Sequence, residues 1–335
     1  ITGAELDKLT DEEFLRDLKS YKVYARVSPE NKVRIVNAYK TFNIIVAMTG
    51  DGVNDAPSIK TADIGIGMGI TGTDVSKGAA DIVLADDNFA TIIAAVEEGR
   101  KVYSNIKKAV QYLLSANIAE VLCLFITTIF MRVEFLSAVM ILWINLVTDS
   151  LPALALGCER VEKDIMNQPP RKANSSLFAG HTGKNILIQG VVQTILTMLS
   201  FIIGGYVLSD GIANHQVAMT MAFLTLALIQ LFHSYNSRSQ RHSLFSSNPF
   251  KNKVLNWAFL AGVALTALTF IPAFQLFFGT TMLSGVEFAI AIGCAVAIIP
   301  VVEIQKAIEY AVWKNKQKKI EAFNKEEDKE VESQN

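Results

Sequence analysis

Cysteine is scarce in this chain, whose 335 residues contain only Cys123, Cys158 and Cys294. The three stand far apart and form no Cys-x-x-Cys pair, so their spacing favours neither a disulfide framework nor a thiolate metal site. An excess of charge is also missing, because 31 Lys and Arg residues oppose 32 Asp and Glu residues. A chain without a basic excess gives no indication of a nucleic-acid partner.

A recognisable start is missing as well. The chain opens with ITGAELDKLTDEEF, which has neither an initiator methionine nor the basic and then apolar pattern of a signal peptide. We therefore expect a portion of a longer protein. Hydrophobic residues make up 51% of the chain. Soluble domains seldom combine this fraction with a mean hydropathy above zero, so a membrane protein is the first expectation.

Residues 1–100 alternate charged helical stretches with short apolar runs bounded by Gly and Asp. Strands are predicted at 44–48, 64–68 and 81–84, and a helix is predicted at 29–39. Strands that alternate with helices favour a parallel sheet. The strand count is low, so this region is predicted to be an α/β half-domain.

Residues 101–312 contain six apolar stretches, each near the roughly 20 residues that a helix needs to cross the hydrocarbon core. We predict an all-α transmembrane domain with spans at 112–130, 136–156, 186–208, 217–232, 254–278 and 283–304. Lys and Arg are abundant in one set of connections, whereas Arg132 stands alone in the other. This asymmetry predicts that the α/β part, both ends and a charged tail at 313–335 face the cytoplasm. The alternative is six buried helices of a soluble protein.

The first two predicted spans contain polar residues that hydrocarbon should exclude. Asn117 and Glu120 are three residues apart on one helical face, and Asn145, Thr148 and Asp149 share a face of the next span. A carboxylate in the middle of a bilayer costs several kcal/mol and is by default a candidate functional residue. The alternative, that these groups only hydrogen-bond helices together, stays open for Asn145 taken alone.

Pro152 follows this cluster and could add a backbone carbonyl oxygen to the candidate cation ligands. A helix proline cannot bond the carbonyl four residues back, which belongs to Thr148, so we predict a kink or unwound turn that frees this oxygen. Gln230 in the fourth span is a further candidate, although it too could be a purely structural hydrogen-bonding group. All of these candidate ligands are oxygens, as hard cations such as Ca²⁺ require. No Cys or His is among them, which disfavours copper and zinc.

The first predicted strand leads into the run MTGDGVNDAP. Asp51 stands at the strand end, where α/β sheets place their chemistry, and the flanking glycines let backbone approach a ligand closely. Asp51 and Asp55 could hold Mg²⁺, and Lys32, near the start of the predicted helix, could stabilise charge on a transferring phosphoryl group. On these grounds alone the run could equally be a plain turn.

Several motifs resemble those of the P-type ATPases, which are membrane-bound members of the haloacid-dehalogenase-like superfamily. TGDGVNDAP resembles the hinge motif of that family, and VLADDNFATIIAAVEEGR resembles the segment that leads into its fifth membrane helix. NIAE and WINLVTDSLPALALG resemble the fifth and sixth helices of the calcium-pump branch, and DIMNQPPR resembles the loop that follows. The resemblance covers essentially the whole chain, so the six spans correspond to family helices five to ten.

The resemblance implies roles for individual residues. Asp51 would bind the catalytic Mg²⁺, Asp55 would support the site, Asn54 would help to hold the phosphoryl group, and Lys32 would contact its oxygens. The implied membrane ligands of the transported cation are Asn117, Glu120, Asn145, Thr148 and Asp149. Gln230 stands where the two-site pumps of the family carry a glutamate, so the number of ions per cycle stays open.

The implied protein is an ATP-driven pump that exports Ca²⁺ through an aspartyl-phosphate cycle, with protons as the counter-ion. It would be a multi-pass protein of a bacterial cell membrane. The phosphorylated aspartate, the nucleotide-binding and actuator domains and four membrane helices are not in this chain and would lie in the N-terminal remainder. The alternatives are a Mn²⁺ or Na⁺ pump, a membrane-tethered phosphatase of the same superfamily, or a truncated protein that binds ions without catalysis.

Overall fold

The computed structural model describes residues 1–162, 164–171, 175–178, 180–208, 214–240, 242–246, 248–312 and 314. The chain divides into two compact units, of which the first is Ile1–Arg100 with Val161–Ser176 and the second is Lys101–Arg160 with Leu177–Asn335. The predicted tail, 313–335, lies outside the described residues except for residue 314.

The first unit contains a three-stranded parallel sheet, which confirms the predicted strand arrangement. The strands β1 (Ala47–Gly50), β2 (Ile64–Met68) and β3 (Ile82–Leu84) are ordered as they occur in the chain. Five helices accompany the sheet: α1 (Gly3–Leu6), α2 (Asp11–Asp17), α3 (Pro29–Thr41), α4 (Ala56–Thr61) and α5 (Asp74–Ala79).

The first strand begins three residues later than predicted. Asn43 has a positive φ of 56°, which ends the approach from α3 in a sharp turn. The Val46 N–H then donates to the Asp63 carboxylate at 2.9 Å, and Ile44 and Ile45 remain exposed. Apolar character therefore extended the prediction beyond the residues that pair with β2. The prediction for β2 was correct at both ends.

Helix α3 carries Lys32 and has the capping pattern that its sequence predicts. The Ser28 hydroxyl accepts from the Asn31 N–H at 3.2 Å, and Pro29 occupies the first helical turn, where its missing N–H has no cost. The helix continues to Thr41, two residues beyond the predicted end.

The second unit is helical. Its helices are α6 (Phe89–Ile126), most of which belongs to this unit, α7 (Ala138–Trp143), α8 (Ser150–Gly157), α9 (Thr182–Ile202), α10 (His215–Asn236), α11 (Lys253–Leu268), α12 (Pro272–Phe278) and α13 (Gly285–Val296). Among the described residues, five helical segments are long and apolar enough to cross a membrane: Phe89–Met131, Ala138–Gly157, Thr182–Val207, His215–Asn236 and Gly285–Val312.

The predicted span at 254–278 is not one straight helix. Helices α11 and α12 meet at 89°, so the six predicted spans become five with a bent pair as the sixth candidate. Pro272 explains the break, because it lacks an N–H and disfavours helical backbone at the preceding residue. Ile271 accordingly has an extended conformation, with φ −72° and ψ 134°.

Helix α10 lies at the centre of this unit, and nearly all of its residues are buried. One face, with Phe223 and Leu226, shares a core with Ala119 of α6 and Phe201 of α9. The opposite face packs against α13. Lipid tails are as apolar as these side chains, so close packing, rather than exclusion from water, must hold such helices together in a membrane.

A buried ion pair joins the end of α8 to the end of α10. Arg238 donates two hydrogen bonds to the Glu159 carboxylate, both at 3.0 Å, and Asn252 donates to the same group at 2.9 Å. Asn105 of α6 donates to the Glu159 backbone carbonyl at 2.8 Å. Burial raises the pKa of Glu159, but the bonds from Arg238 and Asn252 outweigh it and hold this pKa below its ordinary value.

The first prediction concerns this pair. Arg238→Met should destabilise the protein by about 3 kcal/mol, because Glu159 would lose two charge-assisted hydrogen bonds and keep only the weaker influence of the Lys108 charge. The measurement is thermal unfolding in detergent at pH 7. The folded pKa of Glu159 lies below its ordinary 4.5. The stability difference between Arg238→Met and wild type should therefore shrink as the pH falls below 4.5 and through the folded pKa of Glu159.

Two variants serve as controls for this prediction. Arg160→Met removes an exposed arginine next to the same glutamate and should have little effect. The double variant Arg238→Met with Glu159→Met should recover part of the loss, because it removes both members of the hydrogen-bonded pair but leaves the buried Lys108. Equal losses in Arg238→Met and Arg160→Met would contradict a specific role for the pair.

Candidate cation site and phosphoryl site

Asp51 follows β1 directly, at the carboxyl end of the sheet. Its backbone carbonyl accepts from the Thr73 N–H at 2.8 Å and from the Ser76 hydroxyl at 3.0 Å, which fixes the loop against the start of α5. Asp51 itself is exposed, as is Asn54. A rigid backbone therefore presents the Asp51 carboxylate to the surroundings of the sheet end.

Asp55 has different surroundings from Asp51. It is buried, and Lys32 pairs with its Oδ1 while the Gly52 N–H donates to its Oδ2 at 3.2 Å. Burial raises the pKa of Asp55, but the bonds from Lys32 and Gly52 hold it below its ordinary value. Both carboxylate oxygens already have partners, so Asp55 positions Lys32 and the loop, whereas Asp51 remains available to a metal ion.

The position before Asp51 has room only for glycine. A Cβ at Gly50 would collide with the side chain of Asp55. The close approach that was expected to admit a ligand thus also admits the buried carboxylate that holds Lys32.

In the unit with the membrane-spanning helices, a kink or an unwound turn was predicted at Pro152, and the residues before it form a π-helical turn, Ile144–Asp149. Such turns widen a helix locally and are frequent at functional sites. Pro152 does leave the Thr148 carbonyl without its usual backbone donor. This oxygen is not free, however, because the Tyr112 hydroxyl of α6 donates to it at 3.1 Å.

Glu120, Asn145, Thr148 and Asp149 are placed on two neighbouring helices. Asn145 donates to Oε2 of Glu120 at 3.0 Å, and the Thr148 hydroxyl donates to the Ile144 carbonyl at 2.9 Å. Asp149 directly follows Thr148 in the same π-helical turn. The fold therefore brings these four residues, which were predicted from the sequence as cation ligands, to one region.

The two carboxylates are buried with too few partners. Glu120 is 6% exposed and Asp149 is 1% exposed. Neither oxygen of Asp149, nor Oε1 of Glu120, has a hydrogen-bond partner in the part of the chain that the structure describes. Burying such groups is costly unless a counter-charge or a donor satisfies them. Three carboxylate oxygens are thus available to a bound cation.

Two of the predicted ligands stand apart from this group. Asn117 is exposed on α6, so the described residues do not enclose it with Glu120. Gln230 is fully buried on α10, and neither of its amide atoms has a partner among the residues described. It lies on the face of α10 that packs against α6, but it forms no hydrogen bond with either carboxylate.

Tyr112 is a residue of this region that the sequence search missed. Its ring stacks on His233 of α10, with 6.1 Å between ring centroids, and the His233 ring lies 3.4 Å from the Ser115 hydroxyl. Tyr112 precedes Glu120 by eight residues, so a search for polar groups two helical turns from each carboxylate would have found it.

Spanning helices, buried carboxylates and an α/β unit define a membrane protein of mixed architecture with an intramembrane polar site. Residues 133–308 match the family described as cation transporting ATPase, C-terminus, and the chain belongs to this family.

Three curated relatives are similar over most of this chain. A calcium-transporting ATPase of Bacillus cereus is 45% identical over 297 residues, which cover 84% of this chain and 33% of the relative. One from Bacillus subtilis is 44% identical, with 87% and 32% covered, and one from Listeria monocytogenes is 40% identical, with 94% and 35% covered. The chain therefore spans about a third of the length of these relatives.

The second prediction tests the bond to the freed carbonyl. Tyr112→Phe should lower stability by about 1–3 kcal/mol, because a buried carbonyl loses its donor. Thermal unfolding in detergent measures this, with Tyr206→Phe as a control at a half-exposed ring.

Pro152→Ala supplies the matching test. Alanine restores a backbone N–H that can bond the Thr148 carbonyl, so Tyr112→Phe should cost clearly less in the Pro152→Ala background than in wild type. The same loss in both backgrounds would show that Tyr112 does not substitute for the missing backbone bond.

Proposed function

We propose that this chain is the C-terminal part of an ATP-driven pump that exports Ca²⁺ through an aspartyl-phosphate cycle. The observation that carries the proposal is the pair of buried carboxylates, Glu120 and Asp149, with three unpartnered oxygens beside a π-helical turn. The names of the similar proteins, which are calcium-transporting ATPases, support the choice of ion.

The donor chemistry supports a hard divalent cation. Two carboxylates carry two negative charges, which one Ca²⁺ between them would balance. Ca²⁺ takes about six to eight oxygen ligands, more than the described residues supply. Asn117, exposed on α6, would complete the site together with ligands from the N-terminal remainder of the pump. Mn²⁺ and Na⁺ remain the alternative ions.

Protons are the proposed counter-ion. When the cation leaves, Glu120 and Asp149 are left buried without a counter-charge, and proton uptake relieves that cost. The abundance of Lys and Arg in one set of connections supports a cytoplasmic position for both ends of the chain. Compact connections between the spans support a pump of the bacterial cell membrane, within the lipid bilayer.

The first unit would serve the phosphoryl step. The exposed Asp51 carboxylate fits Mg²⁺, which is usually held by one or two carboxylates and supplies charge stabilisation to a transferring phosphoryl group. Lys32, positioned by Asp55, and Asn54 would hold phosphoryl oxygens. A membrane-tethered phosphatase would use the same loop, but it gives no role to Glu120 and Asp149.

The third prediction concerns Asp51 in the full-length pump. Asp51→Asn should abolish phosphoenzyme formation from ATP and steady-state turnover, because a neutral amide holds Mg²⁺ poorly. Thermal unfolding should be unchanged, since this side chain is exposed. Asp74→Asn, another exposed aspartate of the same unit, is the control and should keep its activity. Wild-type phosphoenzyme levels in Asp51→Asn would sink the assignment.

The fourth prediction concerns the membrane carboxylates. Glu120→Gln and Asp149→Asn should each weaken Ca²⁺ activation of the ATPase at least about tenfold, because each removes a full charge from a low-dielectric site. Gln230→Ala should have a smaller effect, since it removes only a neutral donor. The measurements are the Ca²⁺ dependence of ATPase activity and of transport in reconstituted vesicles.

Two outcomes would change the proposal. Wild-type Ca²⁺ dependence in both carboxylate variants would place the ion site elsewhere. Activation of the wild type by Mn²⁺ or Na⁺ alone would leave the site in place and replace the ion.

A further inference from the structure

Two glutamines in the second unit are buried without partners. Gln193 of α9 and Gln230 of α10 are both 0% exposed. None of their four amide atoms has a hydrogen-bond partner within the described residues. Buried side-chain amides normally have partners, so a pair of unsatisfied glutamines in one region points to a ligand.

Gln193 lies level with Glu120. Helices α6 and α9 run parallel, as two contacts show: Gly190 with Ile118, and the Thr194 carbonyl with the Cys123 thiol. Glu120 stands between the two contact points on α6, and Gln193 stands between them on α9. The two side chains therefore belong to the same layer of the bundle.

Gln230 belongs to this layer as well. Helix α10 runs antiparallel to α9, as two contacts show: Thr225 with Ser200 at 2.7 Å, and Ala218 with Gly205. Counting from these contacts, Gln230 and Gln193 stand within about two residues of the same level, which is roughly 3 Å along the axis. His233, three residues after Gln230, lies beside Ser115 of α6, which is five residues before Glu120.

The layer contains further unpartnered polar atoms. Oε1 of Glu120, the Thr197 hydroxyl and Nδ1 of His233 are buried and have no hydrogen-bond partner in the described part of the chain. On its other side the layer is bounded by the apolar core of α6, α9 and α10. The unsatisfied groups are thus concentrated next to the proposed cation site.

A neighbouring glutamine shows that burial alone does not leave a side-chain amide without hydrogen-bond partners. Gln189 stands one turn before Gln193 on α9 and is also buried. Its carbonyl accepts from Gln111 at 2.9 Å, and its amide N–H donates to Gln305 at 3.5 Å. The polar stripe of α9 therefore changes from satisfied to unsatisfied where it reaches the level of Glu120.

The amide chemistry selects the occupant. A bare cation would satisfy the carbonyl of a glutamine and leave its NH₂ group unpaired. Water both donates and accepts, and a buried water typically makes two to four hydrogen bonds to such groups. We propose that Gln193 and Gln230 hold a water cluster between α6, α9 and α10 that hydrates the Glu120 side of the cation site.

This proposal rests on the proposed function and adds α9 to the ion-binding machinery. The cluster would supply water ligands to the cation on the side where Gln230 offers only a neutral amide. Water-mediated contacts are nearly as favourable as direct ones, so the cation loses little by them. Gln193 then positions water and does not touch the ion.

The test compares two equivalent substitutions on α9 in the full-length pump. Gln193→Leu fills a similar volume but cannot hold water, so it should raise the Ca²⁺ concentration for half-maximal ATPase activity about fivefold, less than the loss of a carboxylate charge. Its maximal rate should change little, and its thermal stability without Ca²⁺ should fall little, because the substitution breaks no hydrogen bond between protein groups among the described residues. Gln189→Leu breaks existing bonds, so it should lower thermal stability and leave the Ca²⁺ dependence unchanged.

Two further measurements address water directly. Gln193→Asn keeps an amide and should restore most of the Ca²⁺ affinity. X-ray radiolysis of water, which oxidises side chains next to bound water, should label the buried Cys123 in wild type and label it less in Gln193→Leu.

Glu120→Gln, measured in the same experiments, distinguishes a failure of the water cluster from a failure of the cation site. If Glu120→Gln weakens Ca²⁺ activation and Gln193→Leu does not, the water cluster is overturned and the proposed function stands. If neither variant changes Ca²⁺ activation, the cation site and the inference built on it fail together. A loss of stability in Gln193→Leu equal to that in Gln189→Leu would also overturn the cluster, because it would mean that Gln193 has a structural partner.

Discussion

The burial of Glu120 and Asp149 is the constraint on which the second unit depends. Their unpartnered oxygens need a cation or protons, and hydrocarbon offers neither. The π-helical turn places Thr148 and Asp149 opposite α6, and Tyr112 occupies the carbonyl that Pro152 releases. The turn is therefore held in place by a side chain of the neighbouring helix, which keeps irregular backbone inside the bundle without a loss of hydrogen bonding.

Local patterns predicted the features that depend on local chemistry. Polar residues three and four positions apart identified Glu120, Asn145, Thr148 and Asp149, because helix geometry alone puts them on common faces. The parallel sheet and the bounds of β2 also followed from an apolar run between turn residues. The bend at Pro272 was missed because hydropathy counts apolar residues and ignores the backbone restriction that proline imposes.

Features that depend on tertiary contacts were beyond such patterns. Periodicity alone could not tell that Asn117 would be exposed and Gln230 enclosed, since this is decided by which helices pack against each face. The sequence shows two glutamines four residues apart on α9. It does not show that one has hydrogen-bond partners and the other has none, because the partners of Gln189 lie on α6 and on the last spanning helix, far away in the chain.

The buried polar groups of this unit fall into two kinds, and the distinction separates structure from function. The Glu159 carboxylate accepts hydrogen bonds from Arg238 and Asn252 on both oxygens, so its charge is balanced within the fold and neither oxygen is left for a ligand. Glu120 is buried to a similar degree, yet one of its oxygens has no partner among the described residues. A fold that satisfies one buried carboxylate completely and leaves another incomplete stores a free-energy cost at the second, and only an exchangeable ligand can remove that cost. A site of this kind is stabilised when the ligand binds and destabilised when it leaves, which is the property that the proposed transport cycle needs from its ion site.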